Sequence, residues 1–225
     1  MVLGHTRRSP SLSSRPRRRP RAVLVFGENE NDTKAIREFI EALLPGTSLR
    51  IEPRRRPPIN LRDAPPNAVP NRVAAIARII AAEEVDLDVV AVVAHEDCDA
   101  VEPSHVKLTD KIESAFRAKG LDKVRAATPA WEMETWLMQW PDAFKLHVPS
   151  WRPLNTTGRN VGVISNAKEF LAHALEQPGG RGREYRESDA PTLARIVREQ
   201  GWIESPKATS ASFSMFADRA RAVGA

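Results

Sequence analysis

The chain has 225 residues, a formal net charge of +5 at pH 7 and 28% charged residues. This length suits one domain with an appendage and allows a core of ordinary size, so disulfides are not needed for stability. The single cysteine, Cys98, excludes a disulfide within the chain and fits a reducing compartment, which predicts a cytoplasmic protein. No apolar stretch approaches the roughly 20 residues of a membrane-spanning helix, so no membrane partner is expected.

The positive charge is concentrated at the N-terminus. Residues 1–21 contain seven arginines and no acidic residue, and removing those seven charges from the total of +5 leaves −2 for the rest of the chain. A segment so rich in Pro, Ser and Arg cannot form a core, and we predict that it is disordered. Such a tail could bind phosphates by charge, or it could be an extension without a specific partner.

The predicted elements alternate between strand and helix as far as residue 140. Short apolar runs indicate strands at residues 21–28, 47–52, 86–94 and 122–130. Apolar residues at helical spacing indicate helices at residues 31–46, 71–85, 104–120 and 131–140. Asp32 or Thr33 is the expected N-cap of the first helix. The alternation predicts an α/β fold, a parallel sheet with helices on both faces.

The last third of the chain is less regular. Helical patterns occupy residues 166–177, 190–201 and 208–225, and a polar loop spans residues 178–189. We therefore predict a disordered tail at residues 1–21, an α/β domain at residues 22–145, and a mainly helical extension at residues 146–225 that packs on this domain.

Acidic residues follow two strands of the predicted sheet. Glu28 follows the first strand, and Asp97 and Asp99 follow the third. Ligands of parallel sheets bind beyond the carboxyl ends of the strands, and an extended Asp-x-Asp would direct both carboxylates to one side. Mg²⁺ or Mn²⁺ binds oxygen ligands and can activate water. The sequence thus predicts a metal site of Asp97, Asp99 and Glu28, with Glu28 as ligand or catalytic general base.

Other polar residues surround this pattern. His95 and Glu96 precede Asp97 and are possible additional site residues, although His95 with Cys98 lacks the second ligand pair of a zinc site. The simpler interpretation of His95 is a hydrogen-bonded histidine at a strand end. Cys98 is a poor nucleophile because the flanking aspartates disfavour its thiolate. The chain contains no Gly-x-Ser-x-Gly, Walker A or Gly-x-Gly-x-x-Gly motif.

Glu132 and Glu134 lie at the start of the helix that follows the fourth strand. The helix dipole favours acidic residues in the first turn, so their positions can be explained without any functional role. Because this helix begins beside the same sheet edge, they are also possible additional site residues.

Three stretches resemble a TOPRIM-like bacterial family of unknown function, related to the OLD-type nucleases: VFGENENDTKAIREFI at 25–40, AWEMETWLM at 130–138 and SASFSMFADRARA at 210–222. A strand ending in Gly-Glu and a later strand ending in Asp-x-Asp are similar to the TOPRIM fold of topoisomerases, bacterial primases and OLD-family nucleases. In the narrower family a Glu-x-Glu-x-Trp-Leu helix follows the Asp-x-Asp strand. The resemblance therefore adds weight to Glu134 and, less so, to Glu132.

The resemblance implies a nuclease that uses Mg²⁺ or Mn²⁺ to hydrolyse nucleic acid. Glu28 would be the general acid and base, and Asp97 and Asp99 would hold the metal. Relatives often act with a separate ATPase in phage defence or mobile-element control, and this chain has no ATPase motif. His95-Glu96 replaces the apolar or threonine lead-in that often precedes the first aspartate in the family. The only tyrosine, Tyr185, lies in a polar loop, so strand passage is not expected.

Two other functions are compatible with acids at parallel strand ends. One is a non-catalytic α/β module that binds nucleic acid, a nucleotide or a partner protein. The other is a receiver domain of response-regulator type, which requires a lysine after a later strand. The sequence RAATPA at residues 125–130 contains no such lysine, which disfavours the receiver.

Overall fold

The structure is a computed structural model that describes residues 18–179 and 182–224. The predicted α/β class and parallel sheet are confirmed. Four parallel strands are arranged in the order β2-β1-β3-β4. They are β1 (Arg21–Phe26), β2 (Arg50–Arg54), β3 (Asp88–His95) and β4 (Val124–Ala127). The tail predicted to be disordered falls, as far as residue 17, outside the described residues.

Eight α-helices occur in these described ranges. They are α1 (Glu30–Leu43), α2 (Val69–Glu83), α3 (His105–Arg117), α4 (Met133–Leu137), α5 (Pro141–His147), α6 (Ala167–Leu175), α7 (Ala190–Glu199) and α8 (Ala211–Gly224). Each predicted helix has a counterpart. One further helix, α5, was not predicted. A helix was expected to end before Pro141, but Pro141 begins α5 as its first residue.

Helices cover both faces of the sheet, as predicted. Alternate residues of β1 belong to different cores because side chains of a strand alternate in direction. Val23 and Val25 pack on the face that carries α1 and the C-terminal helices. Leu24 and Phe26 pack on the opposite face with the apolar residues of α2 and α3.

The C-terminal helices share the core of the α1 face. Trp136 of α4 stacks on Phe216 of α8 with ring centroids 4.8 Å apart, and Phe213 of α8 contacts Phe39 of α1 at 5.4 Å. The boundary expected at residue 145 lies inside α5. Phe144 and Trp151, on either side of that position, belong to the same hydrophobic core.

The order of the strands creates a switch point between β1 and β3. The chain leaves β1 through α1 towards β2 on one side, and leaves β3 through α3 towards β4 on the other. Phe26 pairs with Ala94, so both strands end at the same level. Crevices at such points are the usual ligand sites of open α/β sheets.

The start of α1 differs from the prediction. Asn29, rather than Asp32 or Thr33, is the N-cap, and its side-chain oxygen accepts hydrogen bonds from the backbone N–H groups of Asn31 (2.8 Å) and Asp32 (3.0 Å). The predicted cap was wrong because the helix begins earlier than expected. Asp32 thus lies inside the first turn, where its carboxyl is buried.

Candidate functional site

Glu28 and Asp97 meet at the switch point. Glu28 Oε1 accepts a hydrogen bond of 3.2 Å from the backbone N–H of Asp97, which links the end of β1 to the end of β3. Burial, and then the nearby charge of Asp97, raise the pKa of Glu28 to about 7. A carboxyl with this pKa can both accept and donate a proton near neutral pH.

His95 is buried beside Asp97, at the end of β3. Its Nε2 lies 3.2 Å from Asp97 Oδ1 and its Nδ1 lies 3.8 Å from Asp32 Oδ2. The three residues offer ligand atoms that all lie within 4.8 Å of one another. Each ring nitrogen faces a carboxylate oxygen, Nε2 at hydrogen-bond distance and Nδ1 beyond it. The ring thus separates two carboxylates.

The charges around His95 affect each other strongly. Burial alone would lower the pKa of His95, but the carboxylates of Asp32 and Asp97 outweigh it and raise this pKa to about 9. Burial raises the pKa of Asp32 to about 6 although the imidazolium opposes the shift. At neutral pH the protonated ring of His95 therefore lies between the carboxyl groups of Asp32 and Asp97.

Asp99 does not join this group. Its backbone is left-handed (φ 48°), so the extended Asp-x-Asp that would have aligned both carboxylates is absent. Asp99 Oδ2 lies 2.7 Å from Nη1 of Arg62, and the same Nη1 donates a 2.7 Å hydrogen bond to the carbonyl oxygen of Asp97. Of the predicted ligands, the structure brings Glu28 and Asp97 together and pairs Asp99 with an arginine.

Glu96 fixes the proline-rich loop that follows β2. Its two carboxylate oxygens accept hydrogen bonds of 2.7 Å from the backbone N–H groups of Leu61 and Arg62. This side chain is therefore committed to the loop rather than to the crevice. The loop and Glu28 enclose a polar cavity of about 220 Å³. Its other lining residues are Asn60, Arg62, Asp63, Arg72 and Glu96.

Glu132 and Glu134 lie near Asp97 but have other partners. Glu134 Oε1 accepts a 2.8 Å hydrogen bond from the Tyr185 hydroxyl, and burial raises the pKa of Glu134 to about 7. Glu132 Oε2 accepts a 3.1 Å hydrogen bond from the backbone N–H of Lys168, and burial also raises its pKa. The charge of Asp97 contributes to both upward shifts, so these acids belong to the surroundings of the crevice.

The Ser-Ala-Ser-Phe sequence at residues 210–213, part of the third stretch that resembles the TOPRIM-like family, has a structural role. Ser212 Oγ accepts hydrogen bonds from the backbone N–H of Ala130 (3.1 Å) and from Trp136 Nε1 (3.0 Å). Glu102 Oε1 in turn accepts hydrogen bonds from Ser210 Oγ (2.7 Å) and from the backbone N–H of Ser212 (2.8 Å). The Ser212 Oγ bonds attach α8 to the segment that carries Glu132 and Glu134, and the Glu102 bonds attach it to the loop between β3 and α3.

Sequence reasoning missed Asp32 as a site residue. It was treated as a helix cap, and nothing local distinguishes a capping aspartate from one that faces a buried histidine. The available signal was its position: Asp32 lies in the helix that follows β1, four residues after Glu28 and at the same sheet edge.

Comparisons with protein-family models, with curated proteins and with solved structures give no match for this chain. The resemblance to the TOPRIM-like family therefore stays a prediction. Among the residues that the structure describes, no helix is both long and apolar enough to span a bilayer.

Proposed function

We propose that the protein is a divalent-metal-dependent phosphoryl-transfer enzyme, a TOPRIM-like nuclease that hydrolyses phosphodiester bonds. The observation that supports this most is the junction of Glu28 and Asp97. A carboxyl with a pKa of about 7 lies beside an aspartate at the switch point of a parallel sheet, where ligands of such folds bind. Strongly shifted pKa values in a cleft are typical of functional sites.

Asp97 fits a divalent cation. Its Oδ1 is buried and, among the described residues, has no hydrogen-bond partner other than the His95 Nε2 that faces it at 3.2 Å, so a cation can bind it as a ligand. A bound Mg²⁺ or Mn²⁺ would polarise a phosphoryl oxygen and lower the pKa of water. Glu28 would accept the proton of the attacking water or supply one to the leaving oxygen.

The polar cavity beside Glu28 would contact the phosphates of the substrate. Two arginines line it, Arg62 from the proline-rich loop and Arg72 from α2, and Arg62 adds positive charge near the site carboxylates. Arginine binds phosphate oxygens through two parallel N–H groups, which suits a nucleic-acid backbone. Glu96 would serve as a positioning residue because it holds the backbone of this loop. Any ATP-driven step in phage defence or mobile-element control would require a separate ATPase in the cytoplasm.

A non-catalytic module that binds nucleic acid, a nucleotide or a partner protein is the second candidate. The observation that favours it is the charge balance of the cluster: His95 lies between Asp32 and Asp97, and Arg62 pairs with Asp99, so the acids are partly neutralised without a cation. In this case the crevice would bind its partner without cleaving it.

A cleavage and binding assay on the full chain separates the two functions. Purified protein is treated with EDTA and then incubated with plasmid DNA, single-stranded DNA or RNA, with Mg²⁺ or Mn²⁺ added back. The nuclease predicts cleavage that depends on the returned metal. If the protein retards the nucleic acid in gel electrophoresis but does not cleave it with either metal, the binding module is favoured.

A further inference from the structure

We propose that His95 is a metal ligand: its Nε2 binds a divalent transition-metal ion together with Asp97 Oδ1, and Asp32 orients the imidazole ring. This inference deepens the proposed function and rests on it only for the location of the site. It names the class of cation that the crevice selects, and metal binding tests it without any substrate.

The spacing of the two atoms suits ligands of one ion. Nitrogen and oxygen ligands lie about 2.0–2.2 Å from Zn²⁺, so two neighbouring ligands in octahedral or tetrahedral geometry are roughly 3.0–3.4 Å apart. His95 Nε2 and Asp97 Oδ1 are 3.2 Å apart. A charged contact between the two groups fits the same distance, and a bound cation would replace that contact.

Both atoms are buried and face each other. The His95 side chain is 0% exposed, and among the residues that the structure describes neither His95 Nε2 nor Asp97 Oδ1 has a hydrogen-bond partner beyond this contact. Unpaired buried polar atoms are rare in folded proteins and require an explanation such as an ion or a water molecule. One metal cation between these atoms would contact both, and its binding would release the proton of the His95 ring to solvent.

Asp32 occupies the position of an orienting carboxylate. Histidine ligands usually direct their second ring nitrogen to a carboxylate, which fixes the tautomer and the orientation of the ring. His95 Nδ1 lies 3.8 Å from Asp32 Oδ2, which is itself buried and unpaired.

Gly27 closes the Nδ1 side of the ring. A Cβ atom at this position would lie 3.3 Å from His95 Nδ1 and 2.7 Å from Thr33 Cγ2, so the ring fits because glycine has no side chain. With Gly27 and Asp32 on the Nδ1 side, Nε2 is the nitrogen that faces Asp97. The ion would therefore bind on the Nε2 side.

An imidazole ligand changes the expected selectivity. Mg²⁺ prefers oxygen ligands and retains several waters, whereas imidazole suits Zn²⁺ and other later transition metals. For a site of nitrogen and oxygen donors, affinity rises from Mn²⁺ to Co²⁺, with Zn²⁺ also bound tightly. The crevice should thus bind Co²⁺ and Zn²⁺ more tightly than Mg²⁺.

Titration calorimetry with CoCl₂, ZnCl₂ and MgCl₂ on the full chain at fixed pH tests the selectivity and the ligand. We expect His95→Gln to weaken Co²⁺ binding at least tenfold and Asp32→Asn to weaken it about 10- to 100-fold, the usual effect of losing an orienting carboxylate. The control is His173→Gln, a change to a histidine whose side chain is 88% exposed, which should bind Co²⁺ like the wild type. Equal Co²⁺ affinity in wild type and His95→Gln, or no preference over Mg²⁺, would overturn the proposal.

A spectroscopic measurement covers the case in which His95→Gln fails to fold. Pulsed electron paramagnetic resonance of the wild-type chain loaded with Mn²⁺ detects a ¹⁴N nucleus bonded to the metal. A directly coupled imidazole nitrogen that persists in His173→Gln supports the proposal, and its absence in the wild type contradicts it.

The outcomes for the metal site and for the nuclease are separable. His95-dependent Co²⁺ binding without cleavage of any nucleic acid would refute the nuclease and leave the metal site. Mg²⁺-dependent cleavage that is unchanged in His95→Gln, with no binding of Co²⁺, would refute the metal site and leave the nuclease.

Discussion

Glu28 and Asp97 are 69 positions apart in the chain, yet one hydrogen bond joins them. Their proximity was predictable because both follow strands of a parallel sheet, whose carboxyl ends lie at one edge. The separation of Asp99 was not predictable. It depends on a left-handed backbone at this residue and on Arg62 from a distant loop, and neither has a local sequence signal.

Glu28→Gln should lower cleavage at pH 7.5 by about 10²- to 10⁴-fold, the usual contribution of a general base. Burial raises the pKa of Glu28 to about 7, and a base acts in its deprotonated form, so wild-type cleavage should rise with pH up to about 7 and then level off. A pH–rate profile at saturating metal measures this. If the residual cleavage rate of Glu28→Gln rises with pH at the same midpoint as the wild-type rate, the titrating group is not Glu28.

Asp99→Asn should reduce cleavage less than tenfold. The Asp99 side chain is 52% exposed and is paired with Arg62, so its loss leaves the Glu28–Asp97 junction intact. Initial rates of wild type and variant on one oligonucleotide give the ratio. A loss as large as that of an Asp97 variant would show that Asp99 leaves Arg62 and joins the metal.

At the level of elements, the regular segments were more predictable than the segments between them. The apolar spacing of Ile36, Phe39 and Ile40 places α1 correctly, since all three are buried. The start of α1 was misplaced because several residues near Asn29 can cap a helix, and only the folded backbone selects one.

Glu96 should stabilise the fold through the loop that it holds. Glu96→Ala would leave the backbone N–H groups of Leu61 and Arg62 without their acceptor, which we expect to lower the free energy of unfolding by about 1–3 kcal/mol. Urea denaturation followed by far-UV circular dichroism measures the difference.

Glu176→Ala is the matched control for this experiment, because the Glu176 side chain is 52% exposed and should contribute little. A loss in Glu96→Ala no greater than that of Glu176→Ala would contradict the structural role of Glu96.

At the scale of the whole molecule, one core connects the sheet to the C-terminal helices. Periodicity predicted helices in the last third, but their partners depend on contacts such as Trp136 with Phe216. Tyr185 illustrates the limit of sequence reasoning: it lies in a polar loop as expected, yet its hydroxyl is buried against Glu134.

The buried Glu134 should make global stability depend on pH. Burial raises its pKa from 4.5 to about 7, so the folded state retains a proton that the unfolded chain releases near pH 4.5. The folded state is therefore favoured fully below pH 4.5. As the pH rises to about 7, this contribution, about 3 kcal/mol of the free energy of unfolding, is lost.

Urea denaturation at pH 5 and pH 7.5 tests this effect. Between these values Glu134→Gln should lose less stability than the wild type, because the amide does not ionise. The raised pKa values of Glu28 and Asp32 act in the same direction in both proteins and cancel in the difference. An equal loss in the two proteins would show that Glu134 does not titrate in this range.

The activity proposed for the crevice at the ends of β1 and β3 is cleavage of phosphodiester bonds with a divalent metal at Asp97. Its most direct test is the rate of plasmid and oligonucleotide cleavage in Mg²⁺ and Mn²⁺ for the wild type, Asp97→Asn and the control Asp122→Asn, whose carboxylate is 78% exposed beside Arg117. We predict metal-dependent cleavage in the wild type and in Asp122→Asn, and a loss of at least about 10²-fold in Asp97→Asn, because the metal would lose its buried carboxylate ligand. Cleavage by Asp97→Asn at the wild-type rate would contradict the account.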